Sequence, residues 1–326
     1  MNMKPKLFSY LLIVLSLLSL VPIGLRYLND KNPLIAYDYK IPLHNHKEDY
    51  DPSLCYLNSI KKLEAYCDSL FYISNEKYTL EQSEKIYTNI VGSVIRKRFY
   101  WGYSWYTFSD NYLSVVISKI TGGDYAAIVD PDDIMKHPNA ACSQQAIVMM
   151  ETFKGKGFKM RKVGFLGNNK VGHFACEIFY GNKWHFRDPT LEPDTAVLNK
   201  YDTPSIKFII AHKNVLFSSY RNFSKDSSFI LDVFGHYSYG KTDIFPAKNA
   251  LIFQKTTKFL SNSIWLFFLL GAVVMYNKNN SSIIFMKQKS YEDFLIIISY
   301  WKNNSLAFKI HLMKYSSVYL LQNQYF

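Results

Sequence analysis

The chain has 326 residues, 48% of them hydrophobic, and a formal net charge of +12. One catalytic domain of ordinary size fits this length once membrane segments are set aside, and four cysteines are too few for a disulfide framework. The lysines and arginines are spread along the chain, which argues against nucleic-acid binding. Attraction to an anionic membrane and a generally basic surface both remain open.

Two uncharged stretches predict membrane-spanning helices. Leu7 to Leu25 has nineteen residues, and no small-x-small cleavage pattern follows it, so an uncleaved signal anchor is favoured over a cleaved signal peptide. Phe259 to Tyr276 has eighteen residues and predicts a second span, with a buried core helix as the alternative. The predicted organisation is an N-terminal anchor (1–28), a folded domain (29–258), a second transmembrane helix (259–276) and a C-terminal tail (277–326).

The charges next to the spans predict the orientation. Lys4 and Lys6 precede the first span, and short basic amino-terminal regions ahead of a long domain usually stay in the cytoplasm. Arg26 and Lys31, just past that span, weaken the bias. We therefore expect the domain between the spans on the non-cytoplasmic side of the membrane.

Two acidic or histidine-rich segments resemble metal sites without completing one. His44-x-His46 lies in the polar segment from Arg26 to Asp51 and has no third ligand nearby, so a solvated loop is favoured. The stretch 130–133 (D-P-D-D) lacks the glycine and distal glutamate of a calcium loop, so a turn and helix cap is favoured. We expect no metal site and no cofactor.

Helix signals and an aromatic run precede the central part of the chain. Asp51-Pro52-Ser53 predicts a helix to about Leu70, and Thr79 to Gln82 is a capping-box pattern that opens a second one. The eleven residues from 98 to 108 read R-F-Y-W-G-Y-S-W-Y-T-F. Such a run favours a strand or loop packed in the core, with a sugar-stacking platform or an interfacial belt as alternatives.

A helix with a cysteine at its start follows. Asn139 is a candidate cap, Gly155 and Gly157 predict the end of the helix, and Gln144 and Gln145 would point away from the thiol. An apolar stripe at helical spacing comprises Cys142, Ala146, Met149, Met150 and Phe153.

Three strands are predicted after this helix, and they form an antiparallel meander. They are 158–166, 171–180 and 183–188, joined by the polar turn 167–170 and by Gly181-Asn182. A tight first turn would place Gly164 opposite His173. With a two-residue second turn, paired positions sum to 363, so Asp188 lies opposite Ala175 and diagonal to His173, at about 7 to 8 Å between backbones. His185 and Cys176 would point to the other face.

A thiol at a helix start, with a histidine and a carboxylate on one sheet face, supplies a nucleophile, a base and a group that orients the base. The segments A-C-S-Q-Q-A, G-H-F-A-C-E-I and W-H-F-R-D-P-T resemble the transglutaminase-like branch of the papain-type cysteine enzymes, from about Thr79 to Pro193. The resemblance implies a triad of Cys142, His173 and Asp188. It also implies an α+β fold in which the nucleophile helix packs on an antiparallel sheet, here flanked by two transmembrane helices.

The sequence departs from the family pattern beside two of these residues. Ala140 and Ala141 precede the cysteine where many members have glycine and an aromatic or polar residue, and Phe174-Ala175 follows the histidine where Ala-Trp is common. These departures leave the triad intact and leave the substrate groove undefined.

We therefore predict a membrane-anchored thiol enzyme that acts on amide bonds through an acyl-enzyme. Water as the acceptor would make it a peptidase or amidase, and an amine would make it a cross-linking transferase. A catalytically idle module that binds a glycan or a protein partner at the membrane is the alternative. The expected partners are a protein or peptide amide substrate and membrane lipid, not nucleic acid, and the oligomeric state is left open.

Overall fold

A computed structural model describes residues 5–31, 49–73, 78–167 and 172–279 of the chain. It contains both helices and a curled, antiparallel, four-stranded sheet, and it divides into two compact units. The larger unit comprises residues 33–106 and 124–255, and the other comprises residues 1–32, 107–123 and 256–326.

The helices, named in chain order, are α1 (Pro5–Lys31), α2 (Ile60–Ile73), α3 (Leu80–Arg98), α4 (Phe108–Thr121), α5 (Pro131–Ile134), α6 (Cys142–Gly155), α7 (Thr195–Asn199), α8 (Ile206–Ala211), α9 (Lys213–Tyr220), α10 (Ser227–Val233) and α11 (Lys248–Asn279). The strands are β1 (Lys159–Leu166), β2 (Gly172–Tyr180), β3 (Lys183–Arg187) and β4 (His236–Tyr239), in the sheet order β3-β2-β1-β4.

The β2–β3 hairpin has the predicted register. Its pairs run from Cys176 opposite Arg187 to Tyr180 opposite Lys183, so paired positions sum to 363. Gly181 and Asn182 both have positive φ angles, of 52° and 61°, as a two-residue type I′ turn requires. The turn therefore fixes which residues of the two strands share a face.

The predicted register of β1 against β2 is wrong by one residue. Phe165, not Gly164, lies opposite His173, because Leu166 pairs with Gly172 and the connection spans 167–171 instead of 167–170. A shift of one residue moves every side chain of a strand to the other face. An aromatic ring consequently faces His173 where the tight turn would have placed a glycine.

Each face of the sheet is covered by helices. On one face α6 packs against β1 and β2, and the sulfur of Cys176 lies 3.4 Å from that of Met149 in α6. On the other face α7 to α10 build a hydrophobic core over Val163, Phe165 and Ala175. β2, one of the two central strands, is therefore covered on both faces.

Two of the helices before α6 have their predicted caps, and one helix begins later than predicted. Thr79 and Gln82 form the predicted capping box of α3, and Asp130 caps α5 by accepting from the N–H of Asp132. The predicted helix from 52 to about 70 is instead a 3₁₀ turn, Pro52–Tyr56, followed by α2. Its start is set by a distant residue, because the Asp132 carboxylate accepts from the N–H of Ile60 at 2.9 Å.

The smaller unit contains the apolar helices. Residues 7–28, with a mean hydropathy of 2.3, and 248–277, with 1.8, are long and apolar enough to span a membrane. Only 11% of the second hydrophobic window is buried, which does not fit the alternative of a core helix. The Ser9 and Ser16 hydroxyls of α1 donate to the carbonyls of Ala272 and Trp265 in α11.

The predicted domain, residues 29–258, does not coincide with the larger compact unit. Residues 29–31, 107–123 and 256–258 group with the apolar helices instead. The candidate ligands His44 and His46 and most of the tail, residues 280–326, lie outside the described residues.

Candidate functional site

Cys142 is the first residue of α6, as the sequence predicted, but the cap of that helix was predicted wrongly. Ala141 occupies the cap position, and the amide of Asn139 donates to the carbonyl of Tyr103 at 2.8 Å instead. The helix start is held by Gln144, whose side-chain oxygen accepts from the N–H groups of Ala141 and Ser104 at 3.1 and 2.8 Å. The position of Cys142 therefore depends on the buried Gln144, for which the only prediction was that its side chain would point away from the thiol.

His173 lies near the start of β2, and its ring connects the other two predicted residues. Its Nε2 donates to Oδ2 of Asp188 at 2.7 Å. The Cys142 thiol is close enough to the ring to contribute to the raised pKa of His173. Because Nε2 is used by Asp188, Nδ1 is the nitrogen left for the sulfur.

Charge and burial act in opposite directions on this histidine. Burial alone would lower the pKa of His173, but the Asp188 carboxylate, with a smaller contribution from Cys142, raises it to about 10. Burial would likewise raise the pKa of Asp188, but His173 and the other donors to its carboxylate lower it. Both partners therefore favour the charged pair of imidazolium and carboxylate.

Asp188 follows the end of the β2–β3 ladder and is held on both of its oxygens. Oδ1 accepts from the N–H groups of Thr190 and Leu191, each at 3.1 Å, and Oδ2 accepts from His173 and from the Tyr220 hydroxyl at 3.0 Å. The contact of Tyr220 with Asp188 was not predicted, because nothing in the local pattern of Tyr220 on α9 indicates a contact 32 residues away.

Aromatic rings enclose the imidazole. Phe165 stacks on His173 at 5.7 Å between ring centroids and 20° between planes, and Phe234 meets it edge-on at 5.9 Å. His173 is only 4% exposed. These rings exclude water from the imidazole, and a low local dielectric strengthens its interaction with the carboxylate.

The aromatic run before α4 is divided between core and surface. Phe99 and Tyr100 are buried, whereas Trp101 and Trp105 are 53% and 41% exposed. Tyr103 is the member of the run with an electrostatic link to the thiol, since its pKa is raised by burial and by Cys142. Neither the core interpretation nor the platform interpretation describes the whole run.

Glu177, in the segment G-H-F-A-C-E-I, connects elements of the fold. It is fully buried and accepts from Arg161 at 2.6 and 2.8 Å and from the N–H of Ile206 at 2.7 Å. The residue therefore ties β2 to β1 and to the start of α8. His185 points to the opposite face from His173, as predicted, and bonds to the carbonyl of Thr203 at 2.8 Å.

The described residues contain no group of three or more His, Cys, Asp or Glu side chains arranged to hold a metal ion. The four cysteines are free, and Cys142 and Cys55 are partly exposed whereas Cys67 and Cys176 are buried. Of the two partly exposed thiols, Cys142 is the one that influences the imidazole of His173.

No known protein family and no curated protein matches the chain. Among solved structures, it is similar to one titled "Crystal structure of a TGase", at 16% identity and a TM-score of 0.28. The match covers 42% of this chain and 32% of that one, so the chain spans about a third of that structure's length. What the site can do follows from its own side chains.

Proposed function

We propose that the chain is a membrane-anchored, transglutaminase-like thiol enzyme that acts on amide bonds. The observation that carries this proposal is the ring of His173, which is hydrogen-bonded to Asp188 through Nε2 at 2.7 Å and has the Cys142 thiol among the groups that raise its pKa. In the proposed roles Cys142 is the nucleophile, His173 the base and acid, and Asp188 the group that orients the imidazole.

The reaction divides into two acyl transfers. His173 takes the thiol proton before the attack and holds it as an imidazolium, the thiolate of Cys142 attacks the amide carbonyl, and the imidazolium then gives that proton to the departing amine. A thioester of the substrate acyl group remains on the sulfur. In the second half His173 takes a proton from water or from an amine, which attacks the thioester and restores the thiol.

Three features of the site support this chemistry. A thiolate is the reactive form of cysteine, and an adjacent imidazolium and a helix start both favour it. The Asp188 carboxylate favours the imidazolium that each half-reaction forms. The N–H of Cys142, in the first turn of α6, is a candidate donor to the oxyanion.

Iodoacetamide labelling of the full chain in detergent tests the proposed nucleophile. Cys142 should react faster at neutral pH than Cys55, which is also partly exposed, and faster than the two buried cysteines. His173→Ala should remove this advantage, whereas His212→Ala, a change of an exposed histidine, should preserve it. Equal, slow labelling of Cys142 and Cys55 in the native protein would reject the proposal.

The acceptor is tested separately. Peptide amides are incubated with the protein, with and without a primary amine, and products are identified by mass spectrometry. Hydrolysis alone would indicate a peptidase or amidase, and amine incorporation would indicate a transferase. Loss of either product in Cys142→Ser would assign it to this thiol.

The proposed location is a membrane, with α1 and α11 as the spans and the larger unit on the non-cytoplasmic side. The length and hydropathy of the two helices support the anchoring. A Lys200→Cys variant tests the side, because Lys200 is exposed in the larger unit. A membrane-impermeant maleimide should label it in intact cells, with Cys55→Ser and Cys142→Ser in the same chain to remove the other accessible thiols.

The exposed indoles favour a second candidate function. Trp101 and Trp105 present about half of their surface to solvent, and they lie in the same loop as Tyr103, whose pKa the Cys142 thiol helps to raise. Aromatic faces of this kind stack on sugar rings, so a catalytically idle module would bind a glycan here. Glycan binding that is lost in Trp101→Ala, together with slow labelling of Cys142, would favour this candidate.

A further inference from the structure

Arg187, the last residue of β3, is a buried cation without a counter-charge in the described part of the chain. It is 8% exposed, and the hydrogen bonds that the structure gives it run from Nη2 to the neutral hydroxyls of Thr88 and Tyr180, at 2.7 and 3.2 Å. Its Nε has no hydrogen-bond partner among the residues that the structure describes. A buried guanidinium is strongly disfavoured unless a negative group accompanies it.

A cavity of about 270 Å³ has Arg187 in its wall. The cavity lies between α3 and the segment that follows β3, an edge strand of the sheet, and its wall includes Asp188 as well as Arg187. Arg187, Phe186 and Leu198 are its buried wall, and Ser93, Thr195 and Asn199 are exposed at its rim. A water molecule occupies about 30 Å³ of liquid, so this volume accommodates a small ion with some water.

Among the described residues that line the cavity, Arg187 is a cation without a carboxylate partner. Two carboxylates line the same cavity, but Asp188 is bonded to His173, and Glu192 is bonded to Arg96 at 2.6 Å. The hydroxyls and amides of Thr88, Asn89, Ser93, Thr195 and Asn199 add neutral polar groups to the wall. The cavity thus combines a fixed positive charge with several possible hydrogen-bond donors.

We propose that this cavity binds a small oxyanion of the phosphate or carboxylate type, with Arg187 as its charged ligand. The planar guanidinium presents its N–H groups in a fork that matches two oxygens of either group. The rim side chains supply further donors at the open side. Asp188 lines this cavity, but the anion is assigned to Arg187, and the assignment does not depend on the proposed thiol chemistry.

Anion titrations of the full chain in neutral detergent test the site. The thermal midpoint and the heat of binding are measured with sodium phosphate, sulfate and acetate, while chloride keeps the ionic strength constant. Saturable stabilisation by phosphate and sulfate but not acetate would assign a tetrahedral oxyanion. The reverse order would assign a carboxylate.

Arg187→Gln should weaken the binding by about tenfold or more, because it removes a charge-assisted contact. Arg221→Gln is the matched control: it removes the same charge from an exposed position and should leave the affinity unchanged. Ser93→Leu narrows the rim without touching the guanidinium and should also weaken binding, which decides the matter if Arg187→Gln fails to fold. The proposal is overturned if no anion stabilises the native chain saturably, or if Ser93→Leu and a folded Arg187→Gln bind as the native chain does.

Discussion

The substitution Asp188→Asn separates the charge of this carboxylate from its shape. In the native chain each oxygen accepts two hydrogen bonds: Oδ1 from the N–H groups of Thr190 and Leu191, and Oδ2 from His173 and Tyr220. An asparagine has one oxygen and one NH₂ group to put in these two positions, so the two orientations of its amide have different consequences.

If the amide oxygen faced His173, the NH₂ group would face two partly buried backbone N–H groups. Each unsatisfied donor costs about 1–3 kcal/mol, so this orientation costs about 2–6 kcal/mol. If the NH₂ group faces His173 instead, the Tyr220 hydroxyl can turn to accept, and a neutral imidazole can accept at Nε2. The main loss is then that of a charge-assisted hydrogen bond, about 1.5–3 kcal/mol. We expect this second orientation.

The second orientation disables the base without unfolding the protein. An imidazole that accepts at Nε2 carries its proton on Nδ1, so Nδ1 cannot accept the proton of the Cys142 thiol. The rate of iodoacetamide labelling of Cys142 should fall by about tenfold or more, toward the rate of an ordinary thiol.

The assay combines urea unfolding of the full chain in detergent with labelling at pH 7. Asp226→Asn is the matched control, because Asp226 is an exposed helix cap that asparagine replaces well, and its free energy of unfolding should change by less than about 0.5 kcal/mol. The reasoning would be refuted if Asp188→Asn had the free energy of unfolding of the native chain and the same rate of Cys142 labelling.

Three further predictions concern the same site. The free energy of unfolding should fall at both pH extremes: the lowered pKa of Asp188 gives stability that is lost as pH drops through its folded value, and the raised pKa of His173 gives stability that is complete below about 6.5 and lost as pH rises toward 10. A pH series should show both declines, and Asp188→Asn, which removes the carboxylate, should weaken both. Gln144→Ala orphans two buried N–H groups, so it should cost about 2–6 kcal/mol in urea unfolding and slow the labelling of Cys142. Phe165→Ala should cost about 3–5 kcal/mol in the same assay, since the ring is buried between His173 and the core.

The hairpin could be predicted residue by residue because its turn has two residues. Gly181 and Asn182 fix the register, and the faces of His173 and Asp188 then follow by counting. The first connection offered no such constraint, since its polar residues are compatible with a four- or a five-residue loop. Sequence reasoning predicts register where turn chemistry specifies the loop length, and it fails where several lengths are equally acceptable.

Tertiary contacts account for what else was missed. Tyr220 reaches Asp188 only because α9 packs over the sheet, and no local pattern around Tyr220 predicts that packing. The cap of α6 left a weak signal, since Gln144 stands at the third helical position, where a capping box has Glu or Gln. Ala141 at the cap position hid that signal, because an alanine side chain cannot complete the box.

The one-residue error in register also bears on the chemistry. With Gly164 opposite His173 the imidazole would lie against a bare backbone, open to water, and the carboxylate would act on it through a high dielectric. With Phe165 there, water is excluded, and the same carboxylate 2.7 Å away outweighs the desolvation of the imidazolium. The residue types of the site were therefore readable from the sequence, whereas the environment that sets the charge of its histidine depends on a loop length that the sequence does not specify.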